Sequence, residues 1–187
     1  GLDSLLTELI AAHDAAGTLR RGDGPYQPPP EPATELHYPG KILRRPDGNF
    51  LVSDSKHHSL VVLGPDGTTV LDRIGSAQRG RADGPAELAQ FSEPQGVCAL
   101  PAEVAAAVGY DIVIADTVNH LLRGLDSQTG QVRTIAGTGQ QWRPGGSTGV
   151  SQTEGPALQL ALSSPWDLAW YQDRLVIAMA GLVGWAL

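Results

Sequence analysis

One phrase occurs twice in this chain and begins a third time, and that repetition limits the possible folds more than any other feature. Asp111-Ile112-Val113-Ile114-Ala115-Asp116 restates Asn49-Phe50-Leu51-Val52-Ser53-Asp54, and the segment from Asn119 to Leu125 restates that from His57 to Leu63. Gly130 to Ile135 repeats Gly67 to Ile74, and a third copy starts at Pro165-Trp166-Asp167 and continues through Arg174 to Met179. The lead-ins repeat as well: residues 83–97 (DGPAELAQFSEPQGV) align without a gap on residues 154–168 (EGPALQLALSSPWDL). Self-similarity at a fixed period marks a fold built from units that cannot bury their apolar faces alone.

Each unit reads as short β runs joined by tight turns. Pro46-Asp47-Gly48 and Pro65-Asp66-Gly67 lie between β-rich runs; proline presets the first turn φ and glycine accepts a positive one. Four such strands per unit make a propeller blade. The expected blades cover residues 38–75, 92–137 and 163–187, with residues 103–108 (EVAAAV) inserted in the second as a longer loop or helical turn. The expected fold is therefore all-β, a partial β-propeller. Before it, residues 1–20 read as a helix with the stripe Leu2, Leu5, Leu6, Leu9 and Ile10, stopped at Gly17. Residues 21–37 read as a proline-rich, polyproline-like linker, which serves as a stiff spacer or as a ligand for an SH3-like partner.

Composition narrows the functional classes. The net charge of −7 argues against nucleic acid as a partner, and the clusters Lys41/Arg44/Arg45 and Arg79/Arg81 read as solvated loop charges. No run of 18 apolar residues is present to span a membrane. The single cysteine, Cys98, sits in an apolar run and reads as a core thiol; with no signal-peptide pattern at the N-terminus, the expected location is cytoplasmic. The chain starts without an initiator methionine, so it is expected to begin inside a longer product or to have been processed or cloned to this start.

Ala115-Asp116-Thr117-Val118-Asn119-His120-Leu121-Leu122-Arg123 resembles the NHL repeat phrase, down to the letters Asn-His-Leu. Tyr38-Pro39-Gly40-Lys41, Ser92-Glu93-Pro94-Gln95-Gly96-Val97, Ser163-Ser164-Pro165-Trp166-Asp167 and Ile177-Ala178-Met179-Ala180-Gly181 extend the resemblance over residues 36–187, to the family of NHL repeat-containing protein 2 and its bacterial relatives. That resemblance implies an NHL-type propeller of six blades, of which this chain holds about 2.5 at roughly 40 residues each. It also implies a preceding thioredoxin-like domain, to whose tail residues 1–20 correspond. The Cys-x-x-Cys motif of that domain is absent here, so thiol-disulfide chemistry is not expected of this chain. Residues 182–184 (LVG) depart from the polar pair that the family carries before Trp-Ala-Leu.

Asp54 and Asp116 end equivalent strands and are expected to cap their own turns, accepting N–H bonds two residues on; on that reading Asp116→Ala costs about 1 kcal/mol. The alternative is a metal ring in the central channel, as in lactonase-like propellers, which the third copy weakens by placing Met179 at the equivalent position. His57, His58 and His120 read as turn residues, too far apart from blade to blade to share an ion. Ser53 and Ser55 beside two histidines raise a hydrolase triad, without a Gly-x-Ser-x-Gly elbow to support it. Residues 143–149 (RPGGSTG) lack phosphate-loop spacing and read as an interblade loop. Of the tryptophans, Trp170 reads as core, and Trp166 with Asp167 sits where a strand opens near the channel. Trp142 and Trp185 are candidates only as tryptophans, a residue enriched at binding hot spots. The binding candidates are Trp166, Asp167, Asn119 and His120, with no catalytic residue, metal or cofactor expected. The leading function is a propeller scaffold that binds a protein partner, or itself through open blade flanks, within a larger redox-associated protein. A propeller hydrolase, or a ligand site in the channel, is the alternative.

Overall fold

The computed structural model describes residues 1–20, 22, 34–143 and 154–180. Most of the proline-rich stretch, the glycine-rich run after Arg143, and Trp185 lie outside the described residues. The chain divides into two units, residues 1–34 and 35–187.

The first unit contains helix α1 (Leu2–Ala15), which ends before Gly17 at φ +66°. Its leucine stripe gives it one apolar face, yet no residue of the helix is buried.

The second unit is built of antiparallel sheets. The first runs β1 (Pro39–Arg44), β2 (Phe50–Asp54), β3 (Ser59–Leu63) and β4 (Val70–Ile74), paired in that order. A short strand, β5 (Gly84–Pro85), follows. The second sheet takes β6 (Pro94–Ala99), β7 (Ile112–Asp116), β8 (Leu121–Asp126) and β9 (Gln131–Ala136), with β5 added outside β9 as a fifth strand. The third holds β10 (Pro165–Tyr171) paired with β11 (Arg174–Met179). Residues 102–108 form helix α2 (Ala102–Val108), closed by Gly109 in the left-handed region.

The turns form for the reasons the sequence suggests. Gly48 and Gly67 take φ of +89° and +71°. Asp66 accepts the N–H groups of Thr68 and Thr69 and the Thr69 hydroxyl, and Asp126 repeats this with Gln128 and Thr129. These hydrogen bonds hold both carboxyls below the usual carboxylate range.

Burial shows how the sheets are stacked. All five residues of β7 are buried, which requires cover on both faces. Ile112 and Ile114 join Leu51, Leu60, Ile74 and Phe91 in a cluster between the first and second sheets. Val113 and Ala115 join Cys98, Leu122, Leu162 and Leu168 between the second and third. Period-2 alternation thus sends successive side chains of one strand into two different cores. Face-to-face stacking of successive meanders, with β1, β6 and β10 side by side, is propeller packing. The repeat is a blade.

Candidate functional site

The repeated aspartates do not cap their own turns in the expected way. Asp54 Oδ1 accepts the N–H of His37 at 2.6 Å, and Asp116 Oδ1 accepts that of Ser92 at 2.7 Å. Both donors lie two residues before the proline that opens the blade's first strand. Each carboxylate therefore ties the lead-in to the second strand, not one turn residue to the next. Its second oxygen takes the side chain three residues on: His57 Nδ1 at 2.7 Å from Asp54 and Asn119 Nδ2 at 2.8 Å from Asp116. A guanidinium completes each cluster. Arg73 supplies it from β4 at 2.7 Å, and Arg123 from β8 at 2.9 Å. Arginine has moved to the neighbouring strand while the ion pair keeps its place. In the third blade Met179 occupies the position, and its Sδ lies 3.4 Å from the N–H of Ser163.

The two clusters differ in depth. Arg73 keeps partial access to water, whereas Arg123 and Asp116 are both fully buried. Arg123 also donates to Gln90 O, Ala82 O and Asp83 Oδ1, so it pins the interblade segment to the blade. Among the described residues its Nε has no hydrogen-bond partner, and its guanidinium lies 5.2 Å from the Phe91 ring centre. Burial pushes Asp54 upward, but the bonds from His37, Arg73 and His57 outweigh it and hold the group low. Burial raises Asp116, against Asn119, Ser92 and Arg123. With three donors and no acceptor facing it, Asp116 is a carboxylate at neutral pH.

The turn after each aspartate reaches into the next blade. Ser55 Oγ donates to Pro94 O at 2.7 Å, and Thr117 Oγ1 donates to Pro165 O at the same distance. His58 and His120, both left-handed at φ +51° and +55°, accept the N–H groups of Glu93 and Ser164 on Nδ1 at 3.2 and 3.1 Å. These two bonds form a staple between blades 1 and 2 that recurs between blades 2 and 3. They fix the tautomers: His58 and His120 accept on Nδ1, while His57, in the role of Asn119, donates from Nδ1. The triad idea fails at its nucleophile. His57 donates from Nδ1 to Asp54 as a triad histidine would. Ser55, however, donates to the Pro94 carbonyl, and Ser53 Oγ is buried with no hydrogen-bond partner among the described residues, so neither serine is bonded to His57. Ser164 also brings its hydroxyl within 3.3 Å of His120 Nδ1, at a strained φ of +46°. Tyr38 and Glu93 share that conformation at equivalent positions, so it is a feature of the blade and not of a nucleophile.

Acid should loosen the staples. Burial lowers the pKa of His58, with Glu93 opposing and Arg79, Lys56 and His57 adding to the shift. Burial and Arg143 lower that of His120. A depressed folded-state pKa means that unfolding takes up protons. The stabilisation is thus complete above about pH 6.5, the ordinary histidine value, and fades as pH falls through the lower folded values. Urea midpoints at pH 7.5 and 5.5 should show a drop that shrinks in a His58→Asn/His120→Asn variant. Asparagine tolerates the left-handed turn and accepts the same N–H without titrating. An unchanged drop in that variant would assign the pH dependence elsewhere.

Of the binding candidates, Asn119 and His120 are spent within the frame, Asn119 also donating to Gly80 O at 2.6 Å. Trp166 and Asp167 stand on β10, with Trp166 53% exposed. Lys41 of blade 1 donates to both oxygens of Asp167, at 2.9 and 2.7 Å. The pair passes over Gly96 of blade 2, where an added Cβ would lie 2.7 Å from Asp167 Cα. Lys41, Gly96 and Asp167 are equivalent, each two residues after the blade's opening proline. Sequence reasoning missed this pair because the equivalence is visible only once the three lead-ins are superposed. Cys98 is buried, and burial raises its pKa, so its thiol stays protonated. Among the described residues no three His, Cys, Asp or Glu side chains converge as a metal ion would need, and no helix is long and apolar enough to cross a membrane.

A larger cavity of about 740 Å³ opens between blades 1 and 2 at the other ends of these strands. Its walls are the β1–β2 turn, α2 and the β8–β9 turn.

No family model matches the chain. It is 37% identical over 168 residues to NHL repeat-containing protein 2 of Gallus gallus, covering 83% of this chain and 21% of that protein. It is 34% identical to the Homo sapiens protein of the same name, covering 80% and 20%. With the Arabidopsis thaliana chloroplastic protein SUPPRESSOR OF QUENCHING 1 it shares 33% identity, covering 78% and 13%. The chain thus spans about a fifth or less of the length of these relatives. Among solved structures, a structural genomics protein of unknown function from Bacteroides thetaiotaomicron superposes with a TM-score of 0.56 at 26% identity, covering 79% of this chain and 36% of that one. An auxiliary nutrient binding protein from the same organism gives 0.53 at 21%, covering 73% and 33%, and shares the fold.

Proposed function

We propose that this chain, a segment of NHL-type β-propeller related to NHL repeat-containing protein 2, is a rigid scaffold that binds a protein partner. One observation carries the reading: the polar groups best suited to chemistry are already consumed in holding the blades. Asp54 and Asp116 each have both oxygens occupied by donors of their own blade. His58 and His120 have Nδ1 occupied by the next blade. A hydrolase of the lactonase type would need such carboxylates turned toward the channel and free to take a ligand. The frame leaves its loop faces and its outer blade flanks for recognition, by a partner protein or by a second copy. In a larger protein of the related kind, any redox step would be carried by another domain, since the one thiol here is buried and protonated. A cytoplasmic setting accords with that unoxidised thiol.

The test pairs two measurements on the full chain. Affinity capture under reducing conditions, followed by titration calorimetry with the recovered protein, should give a saturable complex of defined stoichiometry. Hydrolysis of lactone and aryl ester substrates, with and without added calcium or zinc, should stay at the uncatalysed rate. Metal-dependent turnover that disappears in Asp116→Asn would overturn the scaffold reading.

A further inference from the structure

Blade 3 holds its lead-in with a different atom. The residue paired with the blade's opening proline is Asp54 in blade 1, Asp116 in blade 2 and Met179 in blade 3. In the first two a carboxylate oxygen takes the lead-in N–H at 2.6 and 2.7 Å; in the third the thioether Sδ takes that of Ser163 at 3.4 Å. Both carboxylates are fully buried, whereas Met179 is half-buried beside the cluster that contains Leu122, Leu162 and Leu168. It is the single methionine of the chain. The segment that its sulfur holds is also the one that ties blade 3 to blade 2. Ser163 Oγ donates to Ala180 O at 3.1 Å, and the Ala180 N–H donates to Ser164 O at 3.0 Å, so Met179 and Ala180 together grip the lead-in. The Ser164 N–H in turn donates to His120 of blade 2. A change at the sulfur therefore lies one residue from the staple between the blades.

A thioether is a weak acceptor and, unlike a carboxylate, it is readily oxidised. We infer that Met179 is a modification site, at which oxidation by a hydroperoxide loosens the joint between blades 2 and 3. The sulfur lone pair not engaged by Ser163 attacks a peroxide oxygen. An S–O bond forms, the O–O bond breaks and sulfur gives up two electrons. With hydrogen peroxide, the proton on the transferred oxygen passes to the displaced hydroxide, which leaves as water. The sulfoxide sulfur carries partial positive charge, so it no longer accepts the Ser163 N–H. Its oxygen stands on the other side of the sulfur, and turning it toward that N–H would lift the side chain from its apolar neighbours. Asp54 and Asp116 undergo no such step, so the frame becomes oxidant-sensitive in one blade and stays inert in the other two.

The test treats the full chain with hydrogen peroxide and locates the added oxygen by peptide mass spectrometry. Met179 should take it up ahead of the buried Cys98 thiol. In the oxidised chain the Ser163 and Ser164 amides should exchange hydrogen about tenfold faster, the worth of one lost hydrogen bond. Ser92 and Glu93, held by Asp116 and His58, should keep their rates. Methionine sulfoxide reductase should restore the original exchange. A Met179→Leu chain should show the faster exchange at Ser163 from the start, with no further change on adding peroxide. A Met179 that stays unoxidised while Cys98 reacts would overturn the inference. So would a sulfoxide that leaves the Ser163 amide equally or better protected, or an acceleration by peroxide that persists in Met179→Leu.

Discussion

Asp116→Ala is expected to destabilise the chain by about 3–5 kcal/mol, the scale of a buried ion pair broken on one side. The reason is Arg123, fully buried beside it. Removing the carboxylate leaves that guanidinium with Asp83, which is 48% exposed, as its remaining counter-ion. It also strands the N–H of Ser92 and leaves the Asn119 amide with Gly80 O as its remaining acceptor. The simple turn-cap expectation of about 1 kcal/mol is too small because it omits the charge. Asp54→Ala should cost less, since Arg73 and His57 can turn to water. Urea denaturation of both variants checks the order. Adding Arg123→Met to Asp116→Ala should recover part of the loss, because a buried pair replaced whole is tolerated better than one halved. Equal costs for the two aspartates would mean that burial of the arginine does not set the energy.

Gly96→Ala is expected to cost about 1–3 kcal/mol, the range of an overpacked interior, and to pull blades 2 and 3 apart. The new methyl would meet Asp167 Cα at 2.7 Å and Trp166 O at 3.0 Å, both backbone atoms that cannot swing aside. Separation would also break the Lys41–Asp167 pair, which crosses this glycine. Gly40→Ala is the milder control: its methyl would meet, at 2.5 Å, the end of the Gln95 side chain, which can rotate away, and, at 3.2 Å, Ser55 Oγ, which needs to give by only a few tenths of an ångström. Thermal unfolding followed by tryptophan fluorescence should show a lowered midpoint for Gly96→Ala and little change for Gly40→Ala. Similar midpoints would remove the close approach as a determinant of blade packing.

The repeated phrase made the blades legible because it carries backbone information: proline and glycine at fixed offsets, and apolar runs of strand length. Those runs also signalled burial on both faces, which β7 shows in full. What the phrase concealed is the destination of its polar letters. An aspartate at a strand end reads the same whether it bonds its own turn or a lead-in 17 or 24 residues earlier. Arg73 and Arg123 lie at different offsets from their aspartates, so alignment does not pair them, although space does. The hydrogen-bond role of His58 follows from a left-handed backbone, which histidine visits more often than most residues but which its letter alone does not announce. The cavity beside α2 was legible only as an insertion, because its other walls come from turns distant in sequence.

Turn-to-lead-in bonds are expected to make the blades one cooperative body. Native-state hydrogen exchange at the amides of Ser92, Glu93 and Ser164 tests it most directly. Their acceptors are Asp116, His58 and His120. These three amides should exchange only through the opening that also exposes β7 and β8, with the same denaturant dependence. Rapid, denaturant-independent exchange at these amides, while β7 and β8 stay protected, would contradict it.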